Sequence, residues 1–419
     1  MPDRKILWFL LFPYIMGCGL ESNQADPLLS IIDNAPSFVK EMIDSSEYEI
    51  QIVYTQVERD EKNTPYLTSF YINRDDNRYF YPASTVKMPV AFLALQRINE
   101  LQKSDNRIDI YDRMVFDSMR PPQTPVVIDS SSSTQYPNVA HYVEQIFSVS
   151  DNEAYNRLYE FLGQDYVNEE LRNKGIFNKS RIRTRVGVGG FDTEANKYTN
   201  PVKILDESGE VLYEQDEYYA LYNDFPSLDG SFKGDGFFDD ALDTVVYEPF
   251  DMSAKNFITL TDLEASLMRI IFPEIYDEKE RYDLSESHYK FLYEVMPKTP
   301  LEFSFNRNHS DEYYDSYVKF FFNGDSREPI PDNIKIFNKV GWAYGTLTDC
   351  AYIIDTENGT EFFLTATIHV NKNRIFNDGI YEYKEKGLPF LAAIGKAVYE
   401  YELDREKQHK PDFTKFLNL

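Results

Sequence analysis

A serine hydroxyl becomes a useful nucleophile when a base takes its proton. A lysine one helical turn away is placed to do so, because residues i and i+3 share a helix face. Ser84-Thr85-Val86-Lys87 has that spacing and opens a stretch, Ser84 to Leu101, that is nearly all apolar through Val90, Ala91, Phe92, Leu93, Ala94 and Leu95. A helix apolar all round belongs in a core. A lysine buried there, near other cationic groups, holds its proton less tightly and presents a neutral amine at working pH. The same spacing recurs at Ser37/Lys40, Ser287/Lys290 and Ser316/Lys319, where an exposed helix face accounts for it. Ser84 alone joins the spacing to a buried helix start.

Two further short segments carry groups that a nucleophile needs around it. Ser150-Asp151-Asn152 follows one helical stretch (Tyr142, Val143, Ile146, Phe147) and opens the next (Tyr155, Leu158, Phe161). A tight turn there aims a hydroxyl and a carboxamide into a cleft, while the aspartate caps the following helix. A second copy, Ser104-Asp105-Asn106, follows Ser84 too closely to face it. Lys339-Val340-Gly341 is the only K-x-G in the chain and lies on a predicted strand. A lysine there offers positive charge to a carboxylate, and the glycine lets a substrate backbone approach the strand closely.

In order and rough spacing these segments resemble the S-x-x-K, S-D-N and K-T-G motifs of class A β-lactamases and penicillin-binding proteins. The likeness extends to S-D-N-E-A-Y-N-R-L from Ser150 and K-V-G-W-A-Y-G-T-L-T-D-C-A from Lys339. The resemblance implies that Ser84 forms an acyl-enzyme, Lys87 assists proton removal and Ser150 relays a proton to the leaving nitrogen. It assigns Asn152, Lys339, Gly341 and Trp342 to substrate binding, with the backbone N–H groups of Ser84 and Trp342 as the oxyanion hole. The implied function is β-lactam hydrolysis by a serine hydrolase, and with it antibiotic resistance. The alternatives are a D,D-carboxypeptidase or transpeptidase acting on peptidoglycan stem peptides, and a low-turnover ligand-binding lipoprotein of the same fold.

The chain departs from the family pattern in three places. Val340 replaces the hydroxyl residue that hydrogen-bonds a substrate carboxylate, a loss on the order of 1.5–3 kcal/mol, for which Thr346 and Thr348 are the candidates to compensate. Trp342 adds bulk beside it. The glutamate that activates the deacylating water has as its nearest counterpart the segment Phe191-Asp192-Thr193-Glu194-Ala195-Asn196. Aligned on Asn196, Asp192 becomes the candidate deacylation base and Glu194 its alternative. Third, the chain is longer than the family core at about 197–255, a stretch rich in tyrosine and phenylalanine, placed to stack on glycan or peptide or to pack the insertion onto its parent domain.

The elements that must hold these residues follow from periodicity. One helix is expected over Pro27–Ile43, strands over Glu49–Val57 and Tyr66–Ile72, and helices over Val139–Phe147, Glu153–Leu162 and Tyr166–Lys174. Asp206-Glu207-Ser208-Gly209 reads as a hairpin turn, and Thr261 with Glu264 as a capping box for a helix running to Ile271. Strands Ile334–Val340, Thr346–Ile354 and Glu361–Val370 precede a closing helix, Pro389–Tyr399. The expected class is α/β of the α+β type: an antiparallel sheet built from both chain ends, flanked by helices, with an inserted helical lobe.

Composition bounds the rest. The 419 residues are 42% hydrophobic and 16% aromatic, which suits a folded chain. A net charge of −27 repels nucleic acid. Asp3-Arg4-Lys5 and an apolar run, Ile6 to Met16, are too short for a membrane span, which needs about 20 residues, and suit a secretory signal. Ile15-Met16-Gly17-Cys18 resembles a bacterial lipobox, implying lipidation at Cys18 of an exported lipoprotein anchored in the periplasm or cell envelope. The expected layout is signal peptide 1–18, tether 19–27 and a hydrolase domain 28–419, working as a monomer. Cys350 lies in an apolar run and reads as a buried structural thiol. The histidines at 141, 288, 309, 369 and 409 lack metal-ligand spacing, so neither metal nor organic cofactor is expected.

Overall fold

Five strands pair in the order Ile334–Ala343, Thr346–Asp355, Thr360–His369, Gln51–Arg59, Pro65–Ile72, all antiparallel. The computed structural model describes residues 26–223 and 225–417. The signal peptide, Cys18 and most of the tether therefore lie outside the described residues. Asp26 caps the first described helix and Pro27 opens it.

The central strands are buried along their length, and their side chains alternate between two cores. Ile336, Leu347, Ile353, Phe362 and Leu364 face helices Pro27–Asn34 and Leu388–Asp404. Phe337, Tyr352, Ile354 and Phe363 face the opposite layer, which holds helices Lys87–Gln102, Asn152–Leu162 and Leu260–Ile271. This is the two-sided burial that a period of two imposes when both sheet faces are covered. Each large apolar side chain so enclosed contributes about 1.5–3 kcal/mol. The expected class is present: an antiparallel sheet from both chain ends, flanked by helices, with the helical lobe between. Among the described residues no helix is long and apolar enough to cross a membrane.

Two local expectations are corrected. The stretch 27–43 is two helices, Pro27–Asn34 and Ser37–Asp44, broken where Pro36 lacks the N–H that helix continuation requires. The helix ending at Ile271 is capped by Thr259, which accepts from Asp262 N, and not by Thr261. Glu264 does not close a capping box. It turns into the core and accepts hydroxyl hydrogens from Thr55 and Thr365, each at 2.6 Å.

The 197–255 insertion folds as small sheets. Val202–Leu205 and Val211–Gln215 extend strand Arg113–Phe116, and Asp206 closes their turn by accepting from Ser208 N and Glu210 N. Its aromatics pack on the parent structure: Tyr218 donates to Asp165 at 2.5 Å, and Phe250 meets Phe376 with centroids 5.9 Å apart. None of them lines the cleft described next.

Candidate active site

The serine sits where the chain turns from extended backbone into the buried helix. Ala83 adopts φ 46°, Ala83–Val86 forms a 3₁₀ turn, and Lys87 begins the α-helix. Twelve residues of Lys87–Gln102 are buried, Lys87 among them, so the apolar stretch is a core helix that fixes Ser84 at its mouth. Ser84 lines a cavity of about 330 Å³ together with Ser150, Asp151, Asn152, Gly341 and Trp342. Three segments separated by up to 258 positions in sequence thus meet at one place.

Ser150 is held at φ 59°, an uncommon backbone for a non-glycine residue, and Asp151 caps the next helix by accepting from Ala154 N at 2.8 Å. That turn presents both Ser150 and Asn152 to the lysines. Lys87 Nζ donates to Ser150 O at 2.5 Å and Asn152 Oδ1 at 2.7 Å, and stands 3.5 Å from Ser150 Oγ. Lys339 Nζ reaches the same hydroxyl from the other side at 2.7 Å and donates to Val340 O at 2.8 Å. Burial pushes Lys87 down to about 7, against the pull of Asp151. Burial, reinforced by the charge of Lys87, pushes Lys339 well below the ordinary lysine range. No hydrogen bond joins Lys87 Nζ to Ser84 Oγ; the amine lies nearer Ser150, and catalytic hydrogen bonds of this kind tighten when substrate enters.

Glycines set the spacing. A Cβ on Gly341 would fall 2.6 Å from Pro82 O and 2.9 Å from Ser84 N, so only glycine lets the K-x-G strand touch the serine turn. Gly187, at φ 61°, lies so close to Asn152 that a Cβ would stand 2.1 Å from its Nδ2. The first contact was legible as a strand glycine near a substrate path. The second had no signal in the sequence.

The remaining candidates fall elsewhere. Asp192 is exposed and caps a short turn by accepting from Ala195 N at 2.7 Å, while Glu194 is exposed and pairs with Lys197 at 3.2 Å. Neither lines the cavity. Asn196 is buried and accepts from Arg185 N, which makes it an anchor of that loop. Thr348 is bonded to Thr367 within the sheet, and neither it nor Thr346 lines the cavity. Cys350 is buried and its thiol is pushed up by burial.

Tyr313, Tyr317 and Phe320 form a wall of the cleft that the motifs did not indicate. Lys319 of the Ser316/Lys319 spacing, which reads as an exposed face in sequence, is buried and anchors that wall. Its Nζ donates to Met296 O, Ile336 O and Asn338 Oδ1. Asp349 accepts from Asn338 Nδ2 and Phe320 N, tying the wall to the K-x-G strand. Trp342 is 47% exposed and stacks on Tyr383 at 5.5 Å.

Residues 35–207 match the model of the β-lactamase enzyme family. That segment is β-lactamase-like in sequence. The match takes in the serine turn and the S-D-N loop and ends before Lys339. Among solved structures, the chain is similar to the TLA-1 extended-spectrum β-lactamase at 15% identity, covering 89% of this chain and 99% of that one with a TM-score of 0.48. It is similar to PBP-A at 15% identity, covering 87% and 94% with a TM-score of 0.46. A β-lactamase from Sphaerobacter thermophilus follows at 13%, covering 87% and 97% with a TM-score of 0.46. No curated protein matches the chain.

Proposed function

We propose that the chain is a serine hydrolase that opens β-lactams and related amides through an acyl-enzyme on Ser84. The observation that carries this reading is the meeting of Ser84, Ser150, Asn152 and Gly341 on one cavity, with a buried, readily deprotonated Lys87 behind them. Ser84 Oγ attacks the carbonyl carbon and passes its proton toward Lys87, directly or by way of Ser150. Ser150, hydrogen-bonded to Lys339, returns a proton to the leaving nitrogen as the C–N bond breaks. Water then releases the acid and restores the serine.

A second reading, a peptidoglycan D,D-peptidase or a slow, ligand-holding relative, is favoured by one observation. Asp192 and Glu194 stand in solvent outside the cavity, which leaves Asp151 as its lining carboxylate, already engaged as a helix cap. Under either reading the partner is a small β-lactam or stem peptide and not nucleic acid. We further propose that the protein is a monomeric, exported bacterial lipoprotein held at the membrane through Cys18 in the periplasm or cell envelope. Intact-mass measurement after mixing with a panel of β-lactams and D-Ala-D-Ala peptides tests the reading: an adduct forms on wild type and is absent in Ser84→Ala. An adduct of equal yield on Ser84→Ala overturns the assignment.

A further inference from the structure

Val340 is 4% exposed and lines the cavity with an apolar side chain, at the position where a hydroxyl would be needed to bind a substrate carboxylate. The nearby ammonium does not replace it. Lys339 is 2% exposed, does not line the cavity, and directs two of its donors to Ser150 Oγ and Val340 O. Thr348 is engaged by Thr367. Among the described residues none that lines the cavity is cationic, and Asp151 there is acidic. A carboxylate entering this space gives up hydration and meets methyl groups and a like charge, an unfavourable exchange. The rest of the lining is rich in aromatic rings: Tyr313 meets Tyr317 at 5.0 Å and Phe320 meets Trp342 at 6.2 Å. Rings and methyl groups reward an apolar substituent by the area they bury.

We propose that the cleft is built for neutral acyl substrates, esters or amides with no carboxylate beside the scissile bond and an aromatic or apolar group against the Tyr313, Tyr317 and Phe320 wall. The inference rests on Ser84 being the nucleophile, as proposed above. For an ester, the Ser84 Oγ–C bond forms and the C–O bond to the leaving group breaks. The serine proton goes to the amine, the departing alcohol takes one back, and water completes the release of the acid.

The test compares benzylpenicillin with its methyl ester, which share the phenylacetamido ring and differ only at the carboxylate. Acylation of the full chain is followed by intact mass for wild type and Val340→Thr. The ester acylates wild type at least about 10-fold faster than the free acid. Val340→Thr speeds the acid by about 10- to 100-fold, the worth of one hydrogen bond to a charged group, and leaves the ester within about threefold. A free acid that reacts as fast as the ester, or a folded Val340→Thr that leaves the acid rate unchanged, overturns the inference while Ser84 acylation stands. If neither penicillin adds and Ser84 also escapes a fluorophosphonate probe, the nucleophile assignment falls and takes the inference with it. Should Val340→Thr fail to fold, the wild-type pair decides alone.

Discussion

In the proposed mechanism, Lys87 is the residue on which the chemistry turns. Its folded value of about 7 lies below the 10.5 of the free side chain because burial disfavours the ammonium. The amine is therefore protonated below pH 7 and free above it. Acylation is expected to fall about tenfold per pH unit below 7 and to level off above, measured as the pH profile of adduct formation. Lys87→Arg, which keeps the charge and cannot release a proton, lowers acylation by about 10²–10⁴-fold at pH 8. The acids at 192 and 194 lead to the opposite expectation. Because both face solvent, Asp192→Asn and Glu194→Gln leave the adduct lifetime within about twofold of wild type. A lifetime extended tenfold by either would place that carboxylate at the acyl group.

At the scale of elements, the site depends on how closely two backbones approach. Gly341→Ala forces the K-x-G strand away from the serine turn, because the new Cβ meets the turn's backbone at Pro82 O, Ser84 N and Thr85 N. A displacement of about 1 Å costs about 10²-fold, so acylation falls by that order while the variant remains folded by circular dichroism. Glu264 joins strands Gln51–Arg59 and Thr360–His369 to helix Leu260–Ile271 through its two threonine partners. Burial pushes it up to about 7 from 4.5. A carboxyl raised on folding leaves stability intact below pH 4.5 and loses it as pH climbs to 7. Glu264→Gln removes that loss. Thermal melts show it more stable than wild type at pH 8, by on the order of 3 kcal/mol, and no more stable at pH 4.5.

Across the whole molecule, the sheet unites the two chain ends so that the cleft forms between the serine helix, the S-D-N turn and a strand from the last hundred residues. The site is therefore sensitive to global folding and insensitive to the insertion, whose aromatics pack away from the cavity. The net charge of −27 acts at the same scale, discouraging anionic ligands before any contact is made. The membrane attachment proposed through Cys18 is expected to be separable from catalysis. Cys18→Ala moves the protein from the detergent phase to the aqueous phase in a partitioning assay and leaves Ser84 acylation unchanged.

Much was legible in sequence because it is local. Helix and strand periods, the S-x-x-K spacing at a buried helix start and the asparagine and aspartate turns depend on neighbours a few residues apart. These sufficed for the sheet from both chain ends and for Ser84, Lys87, Ser150 and Gly341 as candidates. Side-chain direction and burial were not legible, since they depend on what arrives from distant parts of the chain. Glu264 looked like a cap and became a core bridge because two threonines from different strands satisfy it. Lys319 looked exposed and became an anchor because three acceptors from elsewhere, two backbone carbonyls and the Asn338 amide, surround it. Asp192 matched a catalytic position by alignment, yet the Gly187–Gly190 loop carries it into solvent. The aromatic wall and the tethering of Lys339 to Ser150 belong to the tertiary structure alone, because they are contacts between segments and no period or spacing encodes them.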